Sequence, residues 1–151
     1  MLYDEYNLTD DTINKIYKTI NKYKGGDYSL TTCTENGFQT GNIINLFSKS
    51  LIKKILPTKK MYEGLFHFHY IKYNQGGFQA EHNHDKTEKY SCIVYLNSME
   101  DGYTIFKKPI NKKILPEKGK VIIFDADILH SAEESSAGKE ILVGAIDKKI
   151  L

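Results

Sequence analysis

All five histidines fall between residues 67 and 130, and three of them have the spacing to share a metal. The densest chemistry is the run Gln79-Ala80-Glu81-His82-Asn83-His84-Asp85. In a β-strand, side chains two residues apart point to one face, so His82 and His84 can reach the same cation. Asp85 then points to the opposite face unless a bulge rotates it inward. A third imidazole, His130, closes the apolar segment that begins at Gly119. Neutral imidazole binds iron(II), zinc, copper or nickel, so these ligands alone name no metal. An H-x-H pair by itself is more often a solvated or hydrogen-bonded feature of a strand. Its combination with His130 is what points to a metal. His67 and His69 also alternate onto one strand face, but no third residue follows them at matched spacing.

The elements that must position these side chains fall into two regions. Residues 1–60 read as largely helical. Thr9 and Asp10 can cap a helix whose apolar positions Ile13, Ile16, Tyr17, Ile20 and Tyr23 recur at helical spacing up to Gly25-Gly26. A short strand-like piece over 28–34 follows. A second amphipathic run, Asn42 to Leu56, carries Ile43, Ile44, Phe47, Leu51 and Ile55 and is ended by Pro57. Neither stripe holds a reactive residue, so both helices are expected to pack on a sheet. From Met61 onward the period shortens. Strands are predicted at 63–73, 78–84, 89–97, 103–107, 112–115, 119–125 and 139–147, separated by Gly-containing turns such as Gly76-Gly77 and Asp101-Gly102. The expected architecture is mainly β with N-terminal helices: a double-stranded β-helix (jelly roll, cupin-like) over 61–151, packed against two helices. Such a roll would bring the 82/84 strand end and His130 together at its mouth.

The bulk properties fit one domain, residues 1–151. A chain of 151 residues can bury most of its apolar surface in a single core. It is 40% hydrophobic and 26% charged, with 21 basic and 19 acidic residues giving a net charge of +2. No long basic run is present, so nucleic acid is not an expected partner. Cys33 and Cys92 match no metal or redox spacing, and Cys92 sits in an apolar run where a reduced buried thiol is expected. No apolar stretch is long enough to cross a bilayer, and the acidic N-terminus lacks a signal-peptide core. A soluble, intracellular, cytoplasmic protein is the expectation.

Several segments in order carry a family resemblance. They are Tyr73-Asn74-Gln75-Gly76-Gly77, the H-x-H of His82 and His84, and Tyr95-Leu96-Asn97. Gly102-Tyr103-Thr104-Ile105-Phe106, then Gly119 to His130, then Gly138-Lys139 complete the series. Together they resemble the iron(II)/2-oxoglutarate dioxygenases, in particular the prolyl-hydroxylase-like branch and the small oxygenases similar to it. The resemblance covers about residues 70–147 and implies an oxygenase that hydroxylates a substrate with succinate and carbon dioxide as co-products. It implies Fe(II) as cofactor and 2-oxoglutarate as cosubstrate, with a small molecule or a protein side chain as substrate. His82 and His130 match the family's two iron-binding histidines. Lys139, nine residues beyond His130, matches the basic residue that pairs with the distal carboxylate of 2-oxoglutarate. A cation at the closed end of an apolar barrel needs such an anion. Alternation supports this placement, since Lys139, Ile141, Val143 and Ala145 would share the inner face and Glu140 would point out. Tyr95 and Tyr73 match positions whose hydroxyls line the cosubstrate pocket, and an inward Tyr73 makes His69 inward as well. The chain departs from the family at one ligand: His84 stands where the pattern has a carboxylate. That exchange raises the net charge of the site by one while leaving the same positions open. His84 is taken as the third ligand, with Asp85 as fallback.

Two other readings compete. Gly76, His82, His84 and Glu88 reproduce most of a first cupin motif, which would put a metal on His82, His84, Glu88 and His130. That reading leaves Lys139 and Tyr95-Leu96-Asn97 unexplained. A jelly-roll binding module without turnover is the second alternative.

Overall fold

The computed structural model describes residues 3–26, 34–83 and 88–147. In chain order these form β1 (Tyr3–Asn7), α1 (Asp10–Ile20), β2 (Thr34–Gln39), a 3-10 turn (Ile44–Leu46), α2 (Lys49–Ile55) and α3 (Lys59–Gly64). Then follow β3 (Leu65–His82), β4 (Glu88–Tyr95), β5 (Thr104–Phe106), β6 (Lys112–Ile114), β7 (Lys120–Asp125), β8 (His130–Ser135) and β9 (Glu140–Asp147). The strands pair in the order β1-β7-β4-β9-β3-β8-β5-β6, with β2 on β3, and every pairing is antiparallel.

This sheet is curled. Strand β3 pairs with β9 along Leu65–Lys72 and with β8 along Gly77–His82, so it changes partner midway. The ring of Phe124 on β7 lies 4.7 Å from Phe106 on β5 and 4.9 Å from His130 on β8. Those strands stand far apart in the pairing order, and only a sheet rolled onto itself brings them into contact. The molecule is therefore mainly β, a curled antiparallel sheet with three helices.

Strand alternation splits the interior into two cores. Cys92, Val94 and Leu96 point outward with Phe68, Tyr70, Leu142 and Ile146, and meet Ile13, Ile16, Leu51 and Ile55 from the helices. Ile93 and Tyr95 point inward with Ile71, Tyr73, Ile122, Phe124 and Ile141, where Phe106 and Ile114 meet them from the opposite wall. Gly144 faces the outer core, where a Cβ would lie 2.6 Å from the Cys92 sulfur and 2.8 Å from the Phe68 ring. Cys92 is fully buried and reduced, and burial pushes its thiol up to about 12.

Several expectations on the elements need correction. The run from Asn42 to Leu56 is broken: the Ser48 hydroxyl accepts from the Leu51 amide, starts α2 there and leaves only a 3-10 turn before it. A further helix, α3, occupies the stretch where a strand was expected to begin at 63. The predicted strands 63–73 and 78–84 are one long strand through Gly76-Gly77, described up to His82. Strands β1 and β8 were not foreseen. β1 is a half-exposed edge strand, and β8 begins at His130, where no strand was predicted. Residues 28–33 of the first strand-like piece lie outside the described residues, as does Cys33. No helix among the described residues is long and apolar enough to cross a membrane.

Candidate functional site

His82 and His130 are direct cross-strand partners on β3 and β8, with ring centroids 4.3 Å apart. Each ring is aimed by its own backbone. His82 Nδ1–H donates to the Ala80 carbonyl oxygen at 2.7 Å, and His130 Nδ1–H donates to the Ile128 carbonyl oxygen at 2.8 Å. A carbonyl can only accept, so Nδ1 carries a proton in both, which in the neutral ring leaves the lone pair on Nε2. That is the tautomer a metal-ligating imidazole needs. His130 is buried against Phe106 and Phe124. His84 and Asp85 lie outside the described residues. Among the described residues no three His, Cys, Asp or Glu side chains converge, so Glu88 does not join His82 and His130.

The closed end of the roll holds a buried cation. Lys139 is 1% exposed, donates from Nζ to the Gly102 carbonyl oxygen at 2.6 Å, and lies 4.7 Å from the centre of the Tyr73 ring. Burial lowers its pKa to about 8, opposed by the negative charges of Asp101 and Glu133. The turn that carries it is fixed on both sides. Asp101 accepts from the Ser136 amide and hydroxyl, and the Tyr73 amide donates to the Lys139 carbonyl oxygen. Gly102 adopts φ +75°, and a Cβ there would stand 2.7 Å from Ser135 Cβ and 3.1 Å from Lys139 Cδ. Only glycine permits this approach. Beside this turn, the buried Ser135 hydroxyl has no hydrogen-bond partner among the described residues. Burial raises the Tyr73 pKa, partly opposed by the Thr34 hydroxyl. Tyr95, also fully buried, shares a hydrogen bond of 2.5 Å with Thr104.

The other end of the inner face opens into a cavity of about 220 Å³ lined by His67, His69, Glu88, Ser91, Val143 and Ala145 among others. His67 Nε2 and His69 Nδ1 are 2.8 Å apart and share a hydrogen bond, and burial lowers the His67 pKa. The Ser91 hydroxyl donates to Glu88 at 2.9 Å, while burial pushes the Glu88 carboxyl up to about 7. Strand register ties this cavity to the histidine pair. Phe124, Ser91, Ala145 and His67 are successive cross-strand partners over β7, β4, β9 and β3, and Phe124 touches His130.

Neither a family model nor a curated protein sequence matches the chain. Solved structures do. A viral collagen prolyl hydroxylase from Paramecium bursaria Chlorella virus-1, in its 2OG complex, matches at 21% identity and TM-score 0.64, over 97% of this chain and 96% of that one. A prolyl hydroxylase from Trichoplax adhaerens, in complex with a hypoxia-inducible-factor peptide, matches at 13% identity and TM-score 0.68, over 98% and 84%. HygX from Streptomyces hygroscopicus, with nickel, 2-oxoglutarate and hygromycin B bound, matches at 8% identity and TM-score 0.68, over 97% and 82%. The chain has the fold of these oxygenases. Sequence reasoning singles out His82 on β3 by strand alternation, and Tyr73, Tyr95 and Lys139 by the family resemblance. It missed Ser135, Gly102 and Thr104 around Lys139, and the pairing of Glu88 with Ser91. Ser135 sits on β8, where no strand was foreseen. Thr104, inward on β5 two residues after the Gly102 turn, was legible in principle.

Proposed function

We propose that the chain is an Fe(II)- and 2-oxoglutarate-dependent oxygenase that hydroxylates a small molecule or a protein side chain. The observation that carries this reading is the buried Lys139 ammonium group beneath a pair of tautomer-locked imidazoles. A buried lysine held by one carbonyl and an aromatic face lacks a full counter-ion, and a dicarboxylic acid supplies one. The Ser135 hydroxyl, unpartnered among the described residues, and the Tyr73 hydroxyl are donors suited to the same carboxylate. His82 and His130 would hold iron(II) through Nε2, with His84 as third ligand and Asp85 as its substitute.

When bound, iron(II) and 2-oxoglutarate together activate dioxygen, one oxygen atom going to succinate and the other to a substrate C–H bond. The protein's own part is orientation. Lys139, Tyr73 and Ser135 would anchor the distal carboxylate, and the Ala80 and Ile128 carbonyls hold the imidazoles in register. Tyr95, Phe106, Phe124 and Ile141 keep the pocket dry. The test is anaerobic addition of Fe(II) and 2-oxoglutarate, followed by oxygen. A visible charge-transfer band and then succinate are expected. A chain that binds the cosubstrate and forms no succinate is a binding module, and the enzymatic reading fails.

A further inference from the structure

Lys139 stands one residue outside the sheet. Strand β9 begins at Glu140, and its pairing with β4 ends at Tyr95↔Ile141, followed by one backbone bond from the Leu96 amide to the Glu140 carbonyl oxygen at 3.0 Å. The turn that carries the lysine is loose by composition. Gly138 adopts φ +98°, and nothing lies within 4 Å of where its Cβ would be, so no packing restrains it on that side. Toward β3 the backbone supplies the restraint. The Gly138 amide donates to the Tyr73 carbonyl oxygen at 2.9 Å, and the Tyr73 amide donates to the Lys139 carbonyl oxygen at 2.8 Å. Toward β4 a side chain supplies it. Asn97 Nδ2 donates to the Gly138 carbonyl oxygen at 2.6 Å, and Asn97 Oδ1 accepts from the Glu140 amide at 3.0 Å. One half-buried amide thus bonds both sequence neighbours of Lys139 and carries the pairing past the end of β4.

We infer that Asn97 is a positioning residue for the cosubstrate anchor, its amide fixing the Lys139 backbone so that the ammonium group meets the distal carboxylate of 2-oxoglutarate. The inference rests on the oxygenase reading for what Lys139 receives, and on the hydrogen bonds alone for what holds it. An ammonium group on a flexible carbon stem stays on the Gly102 carbonyl only while the backbone beneath it keeps its place. The groups that face the ammonium are Tyr73 on β3, Asp101 before β5 and Glu133 on β8. Asn97 bonds to none of their side chains among the described residues, so its effect on Lys139 passes through the turn.

The test is calorimetric titration of the full chain loaded with Mn(II), using 2-oxoglutarate and oxalate. Both can chelate the metal, but oxalate has no distal carboxylate to offer Lys139. Asn97→Ala should weaken 2-oxoglutarate about tenfold, the worth of one hydrogen bond in a buried turn. Affinities for Mn(II) and oxalate should stay within about twofold. Asn97→Asp keeps the acceptor for the Glu140 amide but sets a carboxylate against the Gly138 carbonyl, and should do no better than alanine. Equal losses for 2-oxoglutarate and oxalate would mean a general loosening of the fold and overturn the inference, as would 2-oxoglutarate binding left unchanged. A second readout needs neither metal nor cosubstrate. Carbon-13 resonance of the lysine Cε should show the Lys139 midpoint rising from about 8 in Asn97→Ala, as water reaches the loosened ammonium. A midpoint that stays in place would show that Asn97 does not hold the anchor. Should the variants fail to fold, the unaltered chain still decides: its Asn97 side-chain amide protons should exchange slowly, and more slowly with Mn(II) and 2-oxoglutarate bound. Free exchange in both states would overturn the inference. If the chain takes up no 2-oxoglutarate, the oxygenase reading falls, while the Lys139 titration still judges the clamp.

Discussion

The two ends of the inner face bury opposite charges in different ways. At the closed end Lys139 is locked by a backbone carbonyl, an aromatic face and a turn tied down by Asp101, so its charge is fixed in place and partly unsatisfied. At the mouth Glu88 is half-buried, accepts from the Ser91 hydroxyl and borders a cavity. A cosubstrate common to every turnover can be met by a rigid, preorganised anchor, whereas a substrate needs room and a charge that answers its own. Both groups have pKa values displaced toward neutrality by burial, the lysine down to about 8 and the glutamate up to about 7. The likeness ends there: the lysine is enclosed, and the glutamate borders open space.

The sharpest way to separate the ends from the centre between them is His130→Ala. Metal affinity should fall more than about 100-fold, since a ligand is lost where even outer partners matter about 10–100-fold. Calorimetric titration with Mn(II) reads this, and circular dichroism should show the sheet intact. Lys139→Ala comes next. It should leave Mn(II) affinity in place and weaken 2-oxoglutarate about 100-fold, the loss of a charge-assisted contact of about 3 kcal/mol. The pH dependence gives an independent check. Lys139 titrates at about 8 before the cosubstrate arrives, so above that pH the ammonium group is progressively lost. Affinity for 2-oxoglutarate should then drop up to about tenfold per pH unit, and Lys139→Arg, whose guanidinium stays charged, should flatten that fall. A flat profile in the unaltered chain would mean that the closed end does not hold the cosubstrate.

How much of this was legible in the sequence follows the same division. Period-two alternation placed Ile141 inward with Lys139 and sent Glu140 outward, where it accepts from Tyr17 and Tyr70 on the helix side; Tyr73 and Tyr95, placed by resemblance, share the inner core with Ile141. Those positions lie on long, strongly alternating strands, where a slip of one residue would invert the whole face. Strands β1 and β8 escaped notice because Tyr3–Asn7 and His130–Ser135 are mostly polar, as edge or short pocket-lining strands are. The break before α2 escaped because the apolar positions 43, 44, 47 and 51 keep helical spacing across a serine that caps instead of continuing. The mouth was the least legible part. His67, His69, Glu88 and Ser91 come from strands that meet only through β9, and a neighbour relation across three strands leaves no mark on local spacing.

The mouth also has a signature in stability. In the unfolded chain Glu88 ionises near its ordinary value of 4.5, while the folded chain holds the proton to about 7. Between those values the folded state binds more protons, so raising the pH favours unfolding. The unaltered chain should therefore lose about 2 kcal/mol of stability from pH 4.5 to 7.5 through this one group. Glu88→Gln should remove that slope in urea melts taken across the range. A slope that survives the substitution would assign it to another group.

The smallest effect belongs to a control outside both ends. Thr9 caps α1, its hydroxyl accepting from the Thr12 amide at 3.2 Å, and α1 packs Ile13 and Ile16 against the outer core only. Thr9→Ala should cost about 1 kcal/mol of global stability, read as a lower urea midpoint with an unchanged slope. Because the inner core shares none of its buried side chains with the outer one, affinities for Mn(II) and 2-oxoglutarate should both stay within about twofold. A change at the closed end alone would show that the helices brace the Lys139 turn through Tyr17, whose hydroxyl donates to Glu140. The sheet would then transmit strain across its thickness, and the two faces could no longer be treated as independent.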